Sequence, residues 1–167
     1  MALRAGKKIR IGGIILLIVI VLGLIAVRRE AYFLNKTVRL VCMRIIQAEE
    51  FSRVAREDYR IRFNQNDYTT FIRAPGQTGE WEKIAAEPYE DAIEASMPGF
   101  ELSISAGRII AYGWESGEKK LRSPTALRFF SRKIPRKRHG IIFYRDGNWK
   151  PMSGIQKLSA LEETKGP

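Results

Sequence analysis

The densest group of charged side chains in this sequence is basic and lies in its last third. Such a group fits the phosphates of lipid head groups or of nucleic acid, because each neutralised phosphate releases a bound counterion. The formal net charge of +11 favours anionic partners in the same way. We therefore predict an exposed loop around Pro135, for which a plain solvated loop between strands is the favoured interpretation and anion binding is the functional alternative. Its residues are Arg132, Lys133, Arg136, Lys137 and Arg138.

An acidic stretch from Glu80 to Glu94 forms the opposite pole of the charge pattern. Its six carboxylates lack the alternating ligands and the glycine of a calcium-binding loop, so we predict no metal site. Pairing with the basic cluster of a neighbouring copy is the favoured role of these acids. A head-to-tail contact of that kind suits a filament or an open array.

The sequence has no residue pattern typical of an enzyme. The single histidine, His139, lies among basic residues and is expected to be solvated, and the one cysteine, Cys42, is expected to fill space on a helix. No GxSxG, HExxH, P-loop or CxxC motif occurs. We therefore predict a non-enzymatic protein with no cofactor and no small-molecule substrate.

The elements that carry these groups begin with an uninterrupted apolar segment at residues 11–27. At about 1.5 Å per residue this segment is about 25 Å long, the lower limit for crossing a hydrocarbon core. The acid-free leader at residues 1–10 has four basic side chains, which favours a cytoplasmic N-terminus. We predict a single-pass transmembrane helix. A cleaved secretory signal is the alternative, although the residues around Ala26 make a poor cleavage site.

Residues 28–57 have the pattern of an amphipathic helix. Apolar side chains recur every three or four residues with charged ones between them, and no Pro or Gly occurs from Leu24 to Ala74. We predict one continuous helix over residues 11–57, whose second half packs one apolar stripe on the protein's own domain. The stripe consists of Leu34, Val38, Val41, Ile45 and Ala48, continued by Phe51 and Ala55.

Residues 58–150 change to a period of two, which is typical of half-buried strands. We predict a β-rich domain with one antiparallel sheet of roughly six strands. Residues 81–97 are predicted to be irregular, and residues 151–167 to form a tail with little strand character. The predicted fold class is α+β, with a long N-terminal helix, transmembrane then amphipathic, packed on an antiparallel β-sheet domain.

Three features together resemble the type IV pilins and the small minor pseudopilins of type II secretion. A basic leader ending in glycine precedes the apolar helix. The segment QAEEFSRVAR at 47–56 leads straight into the strand YRIRF at 59–63, and GIIFYRDG at 140–147 is similar to a late strand closed by a polar-glycine turn. The resemblance implies prepilin-type cleavage between Gly13 and Ile14. Ile18 then stands where the family keeps a glutamate.

The resemblance also implies a function, which is that of a membrane component of a secretion, pilus or DNA-uptake machine. It would lie in the bacterial inner membrane with a periplasmic domain, and Leu34, Val38, Val41 and Ile45 would be shared with neighbouring helices. The implied partners are membrane lipid and other pilin-like subunits or the secretion machinery, with nucleic acid as a further candidate. The alternative is a single-pass accessory protein whose basic β-domain binds anionic lipid, nucleic acid or an acidic protein.

Overall fold

A long helix leads the chain in the computed structural model, which describes residues 2–74, 79–114 and 124–152. This helix, α1 (Ala2–Val54), continues without a break past the apolar segment, as predicted. It begins within the predicted leader and ends three residues earlier than expected. Arg56 has a φ of 57°, a left-handed conformation that is typical just after a helix end. The chain therefore turns directly from α1 into the first strand.

Nine strands follow α1 in the described part of the chain, and they form two antiparallel sheets. The first sheet has the order β3-β2-β1-β5-β6 and the second the order β4-β7-β8-β9. Their bounds are β1 (Asp58–Phe63), β2 (Asp67–Arg73), β3 (Glu82–Pro88), β4 (Ile93–Ala95), β5 (Phe100–Ser105), β6 (Arg108–Trp114), β7 (Thr125–Ser131), β8 (Ile134–Phe143) and β9 (Trp149–Met152). The predicted α+β fold class, a long N-terminal helix packed on antiparallel β-structure, is confirmed.

The hydrophobic core lies between α1 and the two sheets. Every second side chain of β1 is buried, namely Tyr59, Ile61 and Phe63, which is the period that a sheet with one covered face requires. Aromatic rings join the two sheets, because Phe100 of β5 lies 5.6 Å from Phe143 of β8 between ring centroids. Both sheets therefore share one core with the helix.

Three predictions about strands are wrong. In place of one sheet of roughly six strands, the described residues form two sheets with nine strands in total. Residues 81–97 contain β3 and β4, and Pro151 and Met152 of the predicted tail belong to β9. The edge strand β3 is exposed along most of its length, so it shows no apolar alternation. The remainder of the predicted tail, residues 153–167, lies outside the described residues.

The predicted basic loop is also wrong, because residues 134–139 belong to β8. Among the residues that the structure describes, this part of β8 pairs only with β7, whereas residues 140–143 also pair with β9. The ladder shifts register beside Pro135, where Ile134 pairs with Ser131 and Arg138 pairs with Phe130. An unpaired strand edge with an irregularity accommodates proline and charged residues, which explains the loop-like sequence.

Within the described residues, no helix combines the length, the apolarity and the low charge that identify a membrane-crossing segment.

Candidate functional site: the two faces of the long helix

The inner face of α1 carries the four residues predicted to dock the helix. Leu34 and Ile45 are fully buried, and Val38 and Val41 are 6% and 1% exposed. Their spacing of three and four residues puts them on one side of the helix, where they join the core formed with both sheets. Full burial of one such side chain contributes about 1.5–3 kcal/mol, so this face holds the helix and the domain together.

A buried carboxylate marks the first end of the inner face. Glu30 is 6% exposed, and Ser131 donates a hydrogen bond of 2.6 Å from its Oγ to Glu30 Oε2. Lys133 places its Nζ 3.5 Å from the other oxygen, Oε1. The turn between β7 and β8 is thereby fastened to the helix just after the apolar segment. Periodicity gave no signal for this contact, since it joins residues about one hundred positions apart.

Hydrogen bonds mark the second end of the inner face. The amide of Gly107, in the turn between β5 and β6, donates to Ser52 Oγ at 2.8 Å. Gly107 has a φ of +78°, and an added Cβ would lie 2.6 Å from Nε of Arg53, so glycine suits this close approach. Trp149 Nε1 donates to Glu49 at 3.2 Å, and partial burial raises the pKa of that carboxyl.

The prediction that Phe51 and Ala55 continue the buried stripe is wrong. Phe51 is 54% exposed and Ala55 is also exposed, whereas Ser52 between them is 1% exposed. The hydrogen bond from the amide of Gly107 turns Ser52 toward the domain. Ser52 therefore faces the domain in the last helical turn, and Phe51, about 100° away around the helix, faces away from it.

The outer face of α1 is a second apolar surface that the sequence interpretation missed. Its large side chains are 42% to 83% exposed, and they are Tyr32, Leu40, Met43, Ile46, Phe51 and Val54. We call these six residues the outer face. They are interleaved with charged residues, which made the helix look amphipathic with a single stripe. Several large apolar side chains left exposed on one side of a helix make that side a candidate interaction surface.

The predicted basic cluster is described in part, with Arg132 and Lys133 in the turn between β7 and β8 and Arg138 on β8. Arg132 Nε lies 3.2 Å from Glu94, and Lys133 Nζ lies 3.4 Å from Asp91. These ion pairs join the acidic stretch to the basic cluster inside one chain, where the sequence interpretation expected pairing between copies. Arg138 is exposed on β8, and the side chains of Arg136 and Lys137 lie outside the described part of the structure.

His139 is buried rather than solvated, which corrects the sequence expectation. Together with Asn35, Arg39, Cys42 and Met152 it lines an open groove of about 340 Å³ between α1 and the β8–β9 pair. Burial raises the pKa of the Cys42 thiol to about 11, so the thiol stays protonated and weakly nucleophilic at neutral pH. Among the described residues, no group of three or more His, Cys, Asp or Glu side chains is arranged to hold a metal ion.

Two solved structures of the minor pseudopilin EpsH from the type 2 secretion system of Vibrio cholerae are similar to this chain in fold. One aligns with a TM-score of 0.52 at 11% identity, over 72% of this chain and 96% of that one. The other aligns with a TM-score of 0.50 at 12% identity, over 75% and 96%. The fold is pilin-like. The resemblance to pseudopilins inferred from the sequence is thus confirmed for the fold.

The similarity to the solved pseudopilins is one of fold and not of overall sequence. No protein-family model matches the chain, and no curated protein matches it in sequence. Identities of 11% and 12% carry no information on individual site residues. Gly13 and Ile14, the predicted cleavage pair, lie on the helical backbone of α1.

Proposed function

We propose that this chain is a non-enzymatic, pilin-like component of a bacterial secretion or pilus machine, anchored in the inner membrane by residues 11–27. The observation that carries the proposal is that the two faces of α1 differ in burial. Its inner face is buried in the chain's own domain, whereas its outer face is exposed and apolar. The pilin-like fold supports the same role.

Exposed apolar side chains also support the membrane anchor. Every large side chain from Ile15 to Val27 is between 44% and 62% exposed, so this part of α1 projects away from the domain. Residues 11–27 contain no charged side chain. Apolar surface that is exposed on all sides of a helix is unfavourable in water and favourable among lipid chains.

The outer face of the docked half is suited to neighbouring helices. Leu40, Met43 and Phe51 are each about half exposed, so covering one of them gains roughly 1 kcal/mol. Several such residues on each of two helices make a weak contact between one pair of chains. Repeated along an assembly of many chains, such contacts add up to a strong interaction. Leu34, Val38, Val41 and Ile45 are already buried by the domain, and we assign them the docking of the chain's own helix.

Membrane retention and topology are tested on the full chain in its native membrane. We expect the protein to stay in the membrane after alkaline carbonate extraction, and its β-domain to be digested only when protease reaches the periplasm. A mature N-terminus at Ile14, measured by mass spectrometry, would add prepilin-type processing. Release by carbonate, or a domain that is digested from the cytoplasmic side, would contradict the proposal.

Assembly is tested with a photo-crosslinking amino acid at single positions of the full chain. Met43 and Phe51 are expected to give adducts that contain a second pilin-like chain. The control is Ile110, an apolar residue of similar exposure, 59%, that lies on the edge strand β6 and not on the helix. Equal yields of such adducts from Ile110, or none from Met43 and Phe51, would exclude the outer face as the assembly surface.

A further inference from the structure

The open groove of about 340 Å³ beside α1 is lined by none of the six residues of the outer face. Its apolar wall consists of Val38 and Cys42 from the helix and of Pro151 and Met152 from β9. Pro151 is exposed and Cys42 is half-buried, so the groove is open at both of its sides. A concave, partly apolar site of this size is large enough to take side chains of a further segment.

The strand that forms one wall of the groove also leads the chain into it. β9 begins at Trp149, whose Nε1 donates a hydrogen bond to Glu49 of α1, and it ends at Met152 in the groove wall. The strand therefore runs back along α1, from the level of Glu49 to the level of Asn35 and Val38. The residues that follow β9 leave it at the groove itself.

The sequence that follows β9 carries start and stop signals of a short helix. Ser153 and Gln156 have the spacing of a capping box, in which each side chain accepts a backbone N–H bond at the start of a helix. Gly166 followed by Pro167 is a typical helix end. Between these signals there is no proline, and the sequence predicts a helix over residues 154–165.

One side of this predicted helix is apolar. Ile155, Leu158 and Leu161 recur every three residues, which places them on the same side. The charges of the segment balance, because residues 153–167 contain two lysines and two glutamates. Apolar contact, and not net charge, is therefore what can hold it to another surface. A helix of this length is marginal in water by itself and gains its stability by packing its apolar side.

We propose that residues 153–165 form an amphipathic helix that docks its apolar side in the groove, so that the groove binds a segment of the chain's own sequence. Ile155 comes three residues after Met152, so it needs no connecting loop to reach the groove. Leu158 and Leu161 follow at intervals of about 4.5 Å along the helix axis. Docking would cover Cys42, the one thiol of the chain.

This docking goes beyond the proposed function and does not depend on it. The groove and the outer face share no residue, so the helix can dock whether or not the chain assembles with others. The membrane anchor at residues 11–27 is likewise not involved. The proposal therefore holds or fails by itself.

The test uses Cys42 as a reporter of the groove, since the chain has no other cysteine. Its reaction with a fluorescent maleimide is followed at fixed pH, on the full chain in uncharged detergent micelles. Deleting residues 153–167 should speed the reaction about fivefold or more, because the docked helix no longer covers the thiol. Leu158→Ser combined with Leu161→Ser should speed it about threefold or more, because the apolar side is lost.

The matched control is Ala160→Ser combined with Glu163→Gln, two substitutions on the opposite side of the same helix. The control should leave the rate within about twofold of that of the unsubstituted chain. Thermal midpoints identify variants that are unfolded, in which the thiol would react fast for that reason alone. The proposal is overturned if a folded deletion variant reacts no faster than the unsubstituted chain, or if the control speeds the reaction as much as the double serine variant.

A disulfide locates the segment even if its deletion unfolds the chain. Leu158→Cys puts a second thiol on the apolar side, and mild oxidation should join it to Cys42 within one chain. Ala160→Cys, on the opposite side, should give at least about fivefold less of this product, measured by mass spectrometry of the unreduced protein. Equal yields from the two positions would overturn docking through the apolar side. Products that join two chains would assign the groove to the segment of another copy, and would also overturn the proposal.

Discussion

The inner and outer faces of α1 between Glu30 and Val54 both carry large apolar side chains, but the domain covers only the inner one. Leu34 and Ile45 are fully buried, whereas Met43 and Phe51 are 48% and 54% exposed. Side-chain type does not separate the two faces, because β-branched residues occur on both, such as Val38 on the inner face and Ile46 on the outer one. The faces differ in whether the domain covers them.

Polar contacts reinforce this difference. The inner face is fastened at both ends, by Glu30 to the β7–β8 turn and by Ser52 to the β5–β6 turn. Between those ends, packing is joined by two polar contacts at the sides of the helix, since Lys36 Nζ lies 2.6 Å from Glu90 and Arg44 Nε donates to Thr70 Oγ1 at 3.1 Å. An apolar stripe on a helix therefore does not by itself identify what covers it. The difference between the inner and outer faces can be tested by substitutions on each.

The largest expected change in the free energy of unfolding comes from a substitution on the inner face. Ile45→Ala removes a fully buried side chain and leaves a cavity, so it should lower the free energy of unfolding by about 2–5 kcal/mol. Met43→Ala on the outer face should change it by less than about 0.5 kcal/mol. Chemical denaturation of the full chain in detergent micelles measures both. Equal losses would show that the two faces are not distinct in stability.

Glu30 tests the fastening nearest the apolar segment. Glu30→Ala should lower the free energy of unfolding by about 2 kcal/mol, because the buried hydroxyl of Ser131 loses a charged acceptor and Lys133 loses one of its two carboxylate contacts. Glu30→Gln keeps an acceptor oxygen and should lose about half as much. If the two variants were equally stable, the contact with Ser131 would contribute nothing measurable.

Ser52 and Phe51 are neighbours in sequence that lie on opposite faces. Ser52→Ala removes the acceptor of the Gly107 amide and should lower the free energy of unfolding by about 1 kcal/mol. Phe51→Ala should leave the free energy of unfolding nearly unchanged and reduce crosslinking between chains. The same denaturation assay and the photo-crosslinking assay at Met43 give the two measurements. A stable Ser52→Ala and an unstable Phe51→Ala would reverse the assignment of the faces.

The smallest expected change in stability comes from Glu49, and it depends on pH. Partial burial raises the pKa of Glu49 above its ordinary value of 4.5, against the opposing hydrogen bond from Trp149 and the charge of Arg53. A raised pKa in the folded state favours the protonated form, so the contribution of this group to stability is largest below the ordinary pKa and is lost as the pH rises through the folded pKa. Glu49→Gln stays neutral and keeps an acceptor for Trp149.

We therefore expect Glu49→Gln to be more stable than the unsubstituted chain at neutral pH, by less than about 1 kcal/mol because the group is partly solvated. The difference should vanish below about pH 4, where both side chains are neutral. Thermal midpoints measured across this range give the result. A difference that grows on acidification would mean that the carboxylate is stabilised by its surroundings instead.

The sequence predicted best the elements in which one side is covered and the other exposed. The docked half of α1 has a period of about 3.6, and burial alternates along β1 and β7. The edge strand β3, the three-residue β4 and the first half of β8 escaped prediction. Backbone pairing creates these strands, and their side chains are too exposed or too few to leave a periodic pattern.

The candidate surfaces were predictable to different degrees. The spacing of Leu34, Val38, Val41 and Ile45 is enough to identify them as one face of a helix. The stacking of Arg60 and Arg73 on Trp81 was not predicted, although Arg60 and Arg62 alternate visibly along β1. Trp81 lies just before β3, so its position depends on the pairing of β3 with β2.

By itself the sequence determined the long helix, the α+β class and the residues of the inner face, because local periodicity encodes which side of an element is apolar. Only the tertiary structure decided that Phe51 faces outward, that His139 is buried and that Arg132 and Lys133 pair with Glu94 and Asp91. Each of these depends on a partner far away in the chain, such as Gly107 for the last turn of α1. Periodicity along one segment does not contain the positions of such partners, which are set when the helix and the two sheets pack together.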